Sequence, residues 1–390
     1  MKLGMFLMPV HPVGKSYVQT LREDREAVLL ADELGFDEAF IGEHTTDVAE
    51  TIPSCLAFIA SVAYDTRRIR MGTGTLNLPN SHPANIAATA AMVDNMLEGR
   101  FIMGISPGGL PSDWEIYENF DKERNAMFVE CINHVLALWE ADGPYDIKGR
   151  FWNLSTQRFF DPAVGVGRMM KPLQRPHPEI VCTALLPQSP GIELAAARGW
   201  HPITANFLQP GAVASHWEQY VKGCVKGGFE PGVRDWRVAR NIFVADDEAT
   251  ARRYAKEAGG LYAFYVSQLH HKLKKAGRLG IFKDHPDEPD EDITHAYVMD
   301  RLVIAGTPTS VADQILALRE RTGDFGTLLY AVVDWQDRAL ARRSMELMAG
   351  KVMPAVNRAL GESMDPPLPS HQIHASVTRN SQAAVPIAPS

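Results

Sequence analysis

The sequence lacks most features that mark nucleic-acid-binding, membrane or secreted proteins. Its 390 residues carry 39 Lys and Arg against 47 Asp and Glu, a net charge of -8. No basic cluster is present that could neutralise a phosphate backbone. The N-terminus runs directly into a strand pattern, and its apolar run is too short for a signal peptide or a membrane span. We therefore expect neither a nucleic-acid nor a membrane partner, and a cytoplasmic location.

Cysteine is scarce, and the usual metal motifs are missing. The chain has 4 cysteines, without CxxC or Cys/His ligand spacing, which predicts reduced core residues. The adjacent pair His270-His271 makes a poor chelate, because neighbouring side chains on a helix point in different directions. HExxH and EF-hand patterns are also absent. We expect no metal in the site.

What the sequence does contain is a regular alternation of short apolar segments and longer helical patterns. Such alternation predicts βαβ units and a parallel sheet. The predicted strands are 2–7, 38–42, 69–76, 101–105, 179–184, 202–206, 238–244 and 327–333. The predicted helices are 17–33, 84–97, 122–140, 191–198, 212–223, 247–259, 310–322 and 338–360. Eight strands predict a single α/β domain, a (β/α)8 TIM barrel over residues 1–364.

Two segments depart from this rhythm. Residues 261–301 expand the seventh unit with aromatic, basic and acidic stretches, and an insertion of this length predicts a lid or an oligomer contact. Residues 365–390 are rich in Pro, Ser, Ala and Gln. This composition predicts a tail that is disordered or loosely attached to the surface, without a catalytic role.

The candidate chemistry lies where strands end, because parallel barrels carry their catalytic groups there. His44 directly follows the second predicted strand, where an imidazole can exchange protons near neutral pH. Position alone favours instead a histidine bonded to neighbouring backbone. Glu43 is expected to orient or pair internally, and His82, which precedes a proline at a helix start, is expected to be structural.

Glycines and a serine mark two further strand ends. Gly72 and Gly74 alternate along the third strand, which predicts either the close approach of a flat ring or a tight barrel corner. Ser189 precedes a predicted helix, where free backbone N–H groups favour a phosphate. Position alone favours instead an ordinary Ser-Pro helix start. The fourth strand end, 104–113, predicts a kinked loop only.

Several short motifs, taken in their order and spacing, resemble the luciferase-like flavin-dependent monooxygenases. They are Gly42-Glu43-His44, Gly72-Thr73-Gly74-Thr75 with His82-Pro83, and Glu98-Gly99-Arg100-Phe101 with Gly104. The resemblance covers most of residues 1–335. Within this class, stretches 11–14, 41–54 and 108–113 are similar to limonene and diketocamphane monooxygenases, and stretch 179–190 to the diketocamphane enzymes.

This resemblance implies a two-component enzyme. Reduced FMN would come from a separate NAD(P)H-dependent flavin reductase and react with O2 to a flavin 4a-hydroperoxide. That species would oxygenate a small hydrophobic substrate, alicyclic or terpenoid, by epoxidation, Baeyer–Villiger insertion or hydroxylation. A homodimer is also implied, and an apolar lid from 261–265 and 279–282 would shield the reaction from water.

The resemblance also implies roles for individual residues. His44 matches the histidine that supports the oxygen adduct, and Gly74-Thr75 matches a non-prolyl cis peptide against the flavin ring. The implied cofactor-binding residues are Gly74, Thr75, Asn77, Pro107, Thr183, Leu185 and Ser189. Thr45 and Thr46 follow His44 where luciferases have a second histidine, which argues against aldehyde oxidation and light emission.

Some alternatives remain open at this point. Pro107 stands where bacterial luciferase has an arginine for the flavin phosphate, so Ser189, backbone amides or an unplaced basic group must hold the phosphate. FAD or a deazaflavin is therefore possible. A deazaflavin would make the chain a hydride-transfer oxidoreductase, and a non-catalytic flavin-binding paralogue is a further reading. A barrel aldolase or isomerase would need a lysine or a carboxylate pair that the strand ends do not offer.

Overall fold

The computed structural model describes residues 1–285 and 287–361, and its centre is a closed barrel of parallel strands. The barrel strands, first to eighth, are Lys2–Leu7, Glu38–Ile41, Arg70–Thr73, Phe101–Ser106, Glu179–Ala184, His201–Thr204, Arg237–Val244 and Thr327–Val332. Each pairs with the next, and the eighth pairs with the first. The predicted (β/α)8 TIM barrel is confirmed. The prediction for residues 365–390 lies outside the described residues.

Helices surround the barrel, and each predicted helix is present with its ends shifted by a few residues. The α-helices are Tyr17–Leu34, Cys55–Val62, Pro83–Met96, Pro111–Ile116, Arg124–Glu140, Pro190–Ala196, Pro210–Gly227, Glu248–Lys256, Leu261–Lys275, His295–Leu302, Pro308–Thr322, Arg338–Leu347 and Met353–Ala359. Short 3-10 turns and one π-helical turn are Leu78–Asn80, Gln157–Phe159, Val233–Asp235, Leu279–Phe282, Asp290–Asp292 and Met348–Val352. Among the described residues, no helix is long and apolar enough to cross a bilayer.

Three features correct the sequence prediction. The third strand is not continuous over 69–76: it ends at Thr73, and a second short strand, Leu76–Asn77, pairs with the fourth. Strand Val303–Gly306 pairs with the upper half of the seventh strand. A small antiparallel hairpin joins Asp146–Ile147 to Leu154–Ser155. These strands have only two to four residues, too few for a hydrophobic period to emerge.

The barrel interior is a packed core and not a pore. One residue from each of six strands fills it, namely Phe40, Ile102, Val181, Ile203, Ala239 and Leu329, all buried. Phe6, from the first strand, packs partly buried against them. Large branched and aromatic side chains typically fill the interior of an eight-stranded barrel. The interior layer therefore leaves no passage, and a ligand has to bind at an end of the barrel.

A buried charge cluster occupies the N-terminal end of the strands. Arg237 donates to Glu38 at 2.6 and 3.0 Å and approaches Glu179 at 2.9 Å. Arg70 and His201 also contact Glu179, each at 2.7 Å. Burial alone would raise the pKa of Glu179, but Arg237 and Arg70 outweigh it and hold the pKa well below its usual value. The open C-terminal end is left for chemistry.

The insertion 261–301 lies across part of that C-terminal end. The Tyr262 hydroxyl donates to the carbonyls of Ile242 (2.7 Å) and Ala331 (3.3 Å), which belong to the seventh and eighth strands. The Tyr265 hydroxyl donates to Asn206 at 3.1 Å. Of the apolar side chains expected to cover the site, Leu261, Tyr262, Tyr265, Leu279, Ile281 and Phe282 are buried, and Phe264 is half-buried. The insertion is thus anchored by its aromatic side, and its action as a lid stays a prediction.

Candidate active site

His44 lies at the C-terminal end of the second strand between two carboxylates. Its Nδ1 is 2.9 Å from Asp113 Oδ2, and its Nε2 is 3.5 Å from Glu50 Oε2. The His44 side chain is 24% exposed, whereas that of Asp113 is 3% exposed. The ring is thus held by carboxylates, and the alternative of a backbone-bonded histidine is wrong. Solvent or a ligand can still reach the ring.

Asp113 is itself held firmly in place. It lies on the short helix Pro111–Ile116 after the fourth strand, and its Oδ1 accepts from the backbone N–H of Thr45 (3.2 Å) and Thr46 (2.8 Å). The Thr46 hydroxyl donates to the same oxygen at 2.6 Å. Burial raises the pKa of Asp113, but the bonds from His44 and Thr46 outweigh it and lower the pKa below its usual value. An ionised Asp113 keeps the proton on His44 Nδ1.

The two carboxylates determine the charge of His44. Burial favours the neutral ring and lowers the pKa, but the charge of Glu50 and the hydrogen bond and charge of Asp113 raise it to about 8. His44 is therefore mainly an imidazolium at neutral pH, with a proton on Nε2 as well. A half-buried imidazolium at a strand end is equipped to donate a proton or to stabilise a developing negative charge.

A hydrogen-bonded group joins the ends of the third and fourth strands. The Thr75 hydroxyl donates to Ser106 Oγ (2.7 Å), and Ser106 Oγ donates to Asn77 Oδ1 (3.0 Å). The Gly108 N–H also donates to Ser106 Oγ, at 3.1 Å. Asn77 Nδ2 is 3.5 Å from the carbonyl of Glu43, which links this group to the His44 segment. The structure thus brings Thr75 and Asn77 together through Ser106, which the sequence analysis did not identify.

Two different structural features explain the glycines at the end of the third strand. A Cβ on Gly72 would lie 2.4 Å from the ring of Phe40, so the flat group that requires this glycine is a side chain of the barrel core. A Cβ on Gly74 would lie 3.1 Å from the ring of Phe6. The Gly74–Thr75 peptide is cis, as the resemblance implied. Because the ring of Phe6 already occupies the space beside Gly74, a role of Gly74 in cofactor binding would involve its cis peptide bond.

The other predicted cofactor residues lie on the fourth and fifth strand ends. Pro107 follows Ser106 and is half-buried. Thr183 is half-buried in the fifth strand, and Leu185 is 36% exposed just beyond it. Ser189 precedes the helix Pro190–Ala196, and within the described structure its hydroxyl makes no capping hydrogen bond. Pro107 thus follows the fourth strand, and the other three residues belong to the end of the neighbouring fifth strand. Among residues 1–285 and 287–361, none of the four makes a side-chain hydrogen bond to Thr75, Ser106 or Asn77.

The helix Arg124–Glu140, which follows the fourth-strand loop, begins with a cation that sequence reasoning missed. The guanidinium of Arg124 lies over the Trp114 ring, 3.0 Å from the ring centre. Burial, the only cause of its shift, lowers the pKa of Arg124, and no carboxylate of the described residues pairs with it. Trp114 Nε1 is buried without a hydrogen-bond partner in the same part of the chain, 3.1 Å from where a Cβ on Gly108 would lie. A buried indole N–H without a hydrogen-bond partner and a guanidinium without a carboxylate partner among the described residues therefore lie side by side after the fourth strand.

A separate buried cluster surrounds His11 after the first strand. His11 Nδ1 lies 2.6 Å from Asp334, and its Nε2 lies 3.1 Å from Asp24. Lys15 pairs with Asp334 at 2.5 Å and with Glu23. Burial lowers the pKa of His11, but the two aspartates outweigh it and raise the pKa to about 9. A protonated His11 and an ammonium already satisfy these carboxylates, so we assign this cluster a structural role.

A closed barrel with a carboxylate-held imidazolium and a polar group at the strand C-terminal ends defines a TIM-barrel enzyme. The family model described as "Luciferase-like monooxygenase" matches residues 1–324. The chain therefore belongs to the luciferase-like monooxygenase family, a family of flavin-dependent enzymes, and the family resemblance predicted from its motifs is confirmed.

Relatives and a solved structure agree with this assignment. 4-Hydroxyprotoasukamycin monooxygenase of Streptomyces nodosus subsp. asukaensis is 29% identical, over 92% of each chain. Limonene 1,2-monooxygenase of Rhodococcus erythropolis is 28% identical, over 92% of this chain and 87% of its own. The oxygenating constituent of 3,6-diketocamphane monooxygenase from Pseudomonas putida, a type II Baeyer–Villiger monooxygenase in complex with FMN, aligns with a TM-score of 0.82 at 27% identity, over 91% of this chain and 98% of its own. The prediction of a monooxygenase is confirmed.

Proposed function

We propose that this chain is the oxygenase component of a two-component system that uses reduced FMN and O2 to oxygenate a small alicyclic or terpenoid substrate. The reduced flavin comes from a separate NAD(P)H-dependent flavin reductase. One oxygen atom enters the substrate, the other leaves as water, and reduced FMN supplies the two electrons. The observation that carries the proposal is the His44–Asp113 pair beside the third and fourth strand ends, in a chain similar over 91% of its length to an oxygenating constituent that binds FMN.

The residues at the strand ends fit such a cofactor. The ring would lie against the Gly74–Thr75 peptide, with Asn77 and Pro107 beside it. The phosphate needs cations or free donors, and Arg124 and the Trp114 N–H are donors without partners among the described residues. Thr183, Leu185 and Ser189 would line the fifth-strand side of the same site. The similarity to an oxygenating constituent in complex with FMN favours FMN over FAD and over a deazaflavin.

His44 would act on the reacting oxygen. Because Asp113 keeps a proton on Nδ1, the second proton of the imidazolium lies on Nε2, toward Glu50. This proton can be given to the leaving oxygen atom, and the positive ring can stabilise the negative charge that develops there. The buried apolar side of the insertion would exclude water from the same space. Proton donation and exclusion of water are the contributions of the protein to the chemistry.

The direct test is oxygen incorporation. Photoreduced FMN is mixed anaerobically with the purified chain and a bicyclic terpenoid ketone or a cyclic monoterpene, and 18O2 is then admitted. We expect one labelled oxygen atom in the product, detected by mass spectrometry. Formation of unlabelled or no product across a panel of such substrates, with flavin oxidised at the rate of free FMN, would contradict the proposal. A hydride transfer with reduced deazaflavin and without O2 would favour the deazaflavin alternative.

Arg124→Met is expected to weaken FMN binding by about 10- to 100-fold, because a charge-assisted hydrogen bond to phosphate contributes about 1.5–3 kcal/mol. Riboflavin carries the same ring without the phosphate, so its affinity should not change. Anaerobic fluorescence titration with both reduced flavins measures the difference. Arg158→Met is the matched control, because Arg158 also lies over an aromatic ring, that of Phe159, but at the Gln157–Phe159 turn. An equal loss for riboflavin and FMN would refute the phosphate assignment.

Four further expectations stay predictions. The homodimer follows from the resemblance, and analytical ultracentrifugation measures it. The cytoplasmic location agrees with the four cysteines, all buried and unpaired. The lid action of 261–301 and the boundary of the barrel domain at residue 364 are tested by limited proteolysis with and without flavin.

A further inference from the structure

A lysine of the insertion contacts the acidic residues that surround His44. Lys272 lies near the end of the helix Leu261–Lys275, and its Nζ pairs with Asp47 and, at 3.1 Å, with Glu50 Oε1. Asp47 and Glu50 belong to the loop after the second strand, more than 200 residues earlier in the chain. The Lys272 side chain is 31% exposed, and those of Asp47 and Glu50 are 13% and 14% exposed. This contact joins the insertion to the loop that carries His44.

Glu50 is shared between the lysine and the histidine. Its Oε1 faces Lys272 at 3.1 Å, and its Oε2 faces His44 Nε2 at 3.5 Å. The contact to His44 is longer than a good hydrogen bond, whereas the contact to Lys272 is within that range. A carboxylate that is neutralised by an ammonium attracts the proton on Nε2 less strongly. The position of Lys272 therefore bears on how firmly His44 keeps that proton.

The charged groups that face His44 come from three elements. Its own loop supplies Glu43, Asp47 and Glu50, the helix after the fourth strand supplies Asp113, and the insertion supplies Lys272. Of these groups, Lys272 alone is a cation, and it alone lies on the insertion. A shift of the insertion would remove one positive charge from a set of carboxylates.

We propose that Lys272 is a positioning residue that couples the insertion to His44: by holding Glu50, it loosens the Glu50 carboxylate's hold on the Nε2 proton and makes that proton available for transfer. With the insertion away from the loop, Glu50 faces His44 alone and the proton is held more tightly. Proton donation is thus confined to the arrangement in which the insertion covers the mouth of the barrel. The use made of this proton rests on the proposed function, but the coupling itself does not.

The coupling is measured on His44 directly. The chain is labelled with 13C at histidine Cε1, the His44 signal is assigned by its loss in His44→Asn, and its titration is followed by NMR without flavin or substrate. In Lys272→Met we expect the pKa of His44 to rise by about 0.5 unit or more, because the cation that opposes Glu50 is gone. Lys272→Arg should keep the wild-type titration. When Glu50→Gln is already present, Lys272→Met should raise the pKa of His44 by less than half as much.

Lys275→Met is the matched control, since Lys275 is an exposed lysine on the last turn of the same helix. Thermal unfolding of each variant ensures that folded protein is compared. An equal titration of His44 in Lys272→Met and Lys275→Met would overturn the proposal, as would a failure of Lys272→Arg to keep the wild-type titration. Because the experiment needs no turnover, a chain that fails to oxygenate terpenoids would still give a decisive answer on the coupling.

Discussion

His44→Asn is expected to lower the yield of oxygenated product by about 10²- to 10⁴-fold, the range that a positioned general acid contributes. Asparagine keeps a polar side chain of similar reach but has no ionisable proton. Oxidation of reduced FMN by O2 should continue, with hydrogen peroxide released in place of product. The measurement is product by gas chromatography and peroxide by a coupled assay, in the same reaction with photoreduced FMN.

A matched control exists in the chain. His82 is an exposed histidine whose Nδ1 accepts from the Ala84 N–H at the start of the helix Pro83–Met96. Asparagine is also a good N-terminal capping residue, so His82→Asn should preserve both the fold and the product yield. Wild-type yield in His44→Asn, or an equal loss in His82→Asn, would remove His44 from the catalytic role.

The pH dependence of product yield follows from the same group. The pKa of His44 is raised to about 8, so the proton-donating form predominates below this pH and is lost above it. Product yield per flavin oxidised should fall as the pH rises through about 8. Asp113→Asn removes a negative charge and a hydrogen-bond acceptor that raise the pKa, so the fall should move to lower pH. If the fall in product yield stays at the same pH in Asp113→Asn, another titrating group causes it.

The barrel itself was predictable because its strands are continuous apolar segments, buried on both faces. Helix Cys55–Val62 was missed for a related reason: CLAFIASV is apolar on all sides, so it has no amphipathic period to recognise. The break at Gly74–Thr75 was predicted only by family resemblance, since nothing in glycine-threonine spacing predicts a cis bond. Local pattern therefore predicted the elements but not the places where their geometry departs from regularity.

The candidate site was predicted in part, by position at strand ends. His44 was singled out because it directly follows an apolar strand, whereas the roles of Thr75 and Asn77 were implied only by the family resemblance. The partners of His44 could not be predicted, because Asp113 is 69 residues away in the chain and Lys272 reaches the same loop from the insertion. Arg124 resembles any exposed charge at a helix start, and only its contact with Trp114 distinguishes it. Pairing across the barrel mouth is a tertiary property, which residue types alone do not determine.

Arg237→Met is expected to lower the free energy of unfolding by about 3–5 kcal/mol, because it leaves the carboxylates of Glu38 and Glu179 buried without their main cation. Chemical denaturation at pH 7 measures this loss. Arg150→Met removes an arginine paired with Glu123 on the surface, where both side chains are more than 60% exposed. The loss in this variant should be much smaller, because solvent screens an exposed ion pair.

The position of Arg237 among buried carboxylates also predicts how the loss of stability in Arg237→Met depends on pH, and that the product yield is retained. Without Arg237, Glu179 loses the largest of the charges that lower its pKa, so the stability that this lowered pKa contributes at neutral pH is smaller, and the deficit should shrink as the pH falls through the acidic range. Product yield per folded molecule should stay at the wild-type level. The N-terminal end of the barrel contributes to stability, whereas the catalytic groups lie at the C-terminal end. A deficit that grows on acidification, or a folded variant that loses its oxygenation yield, would show that the two ends are not separate.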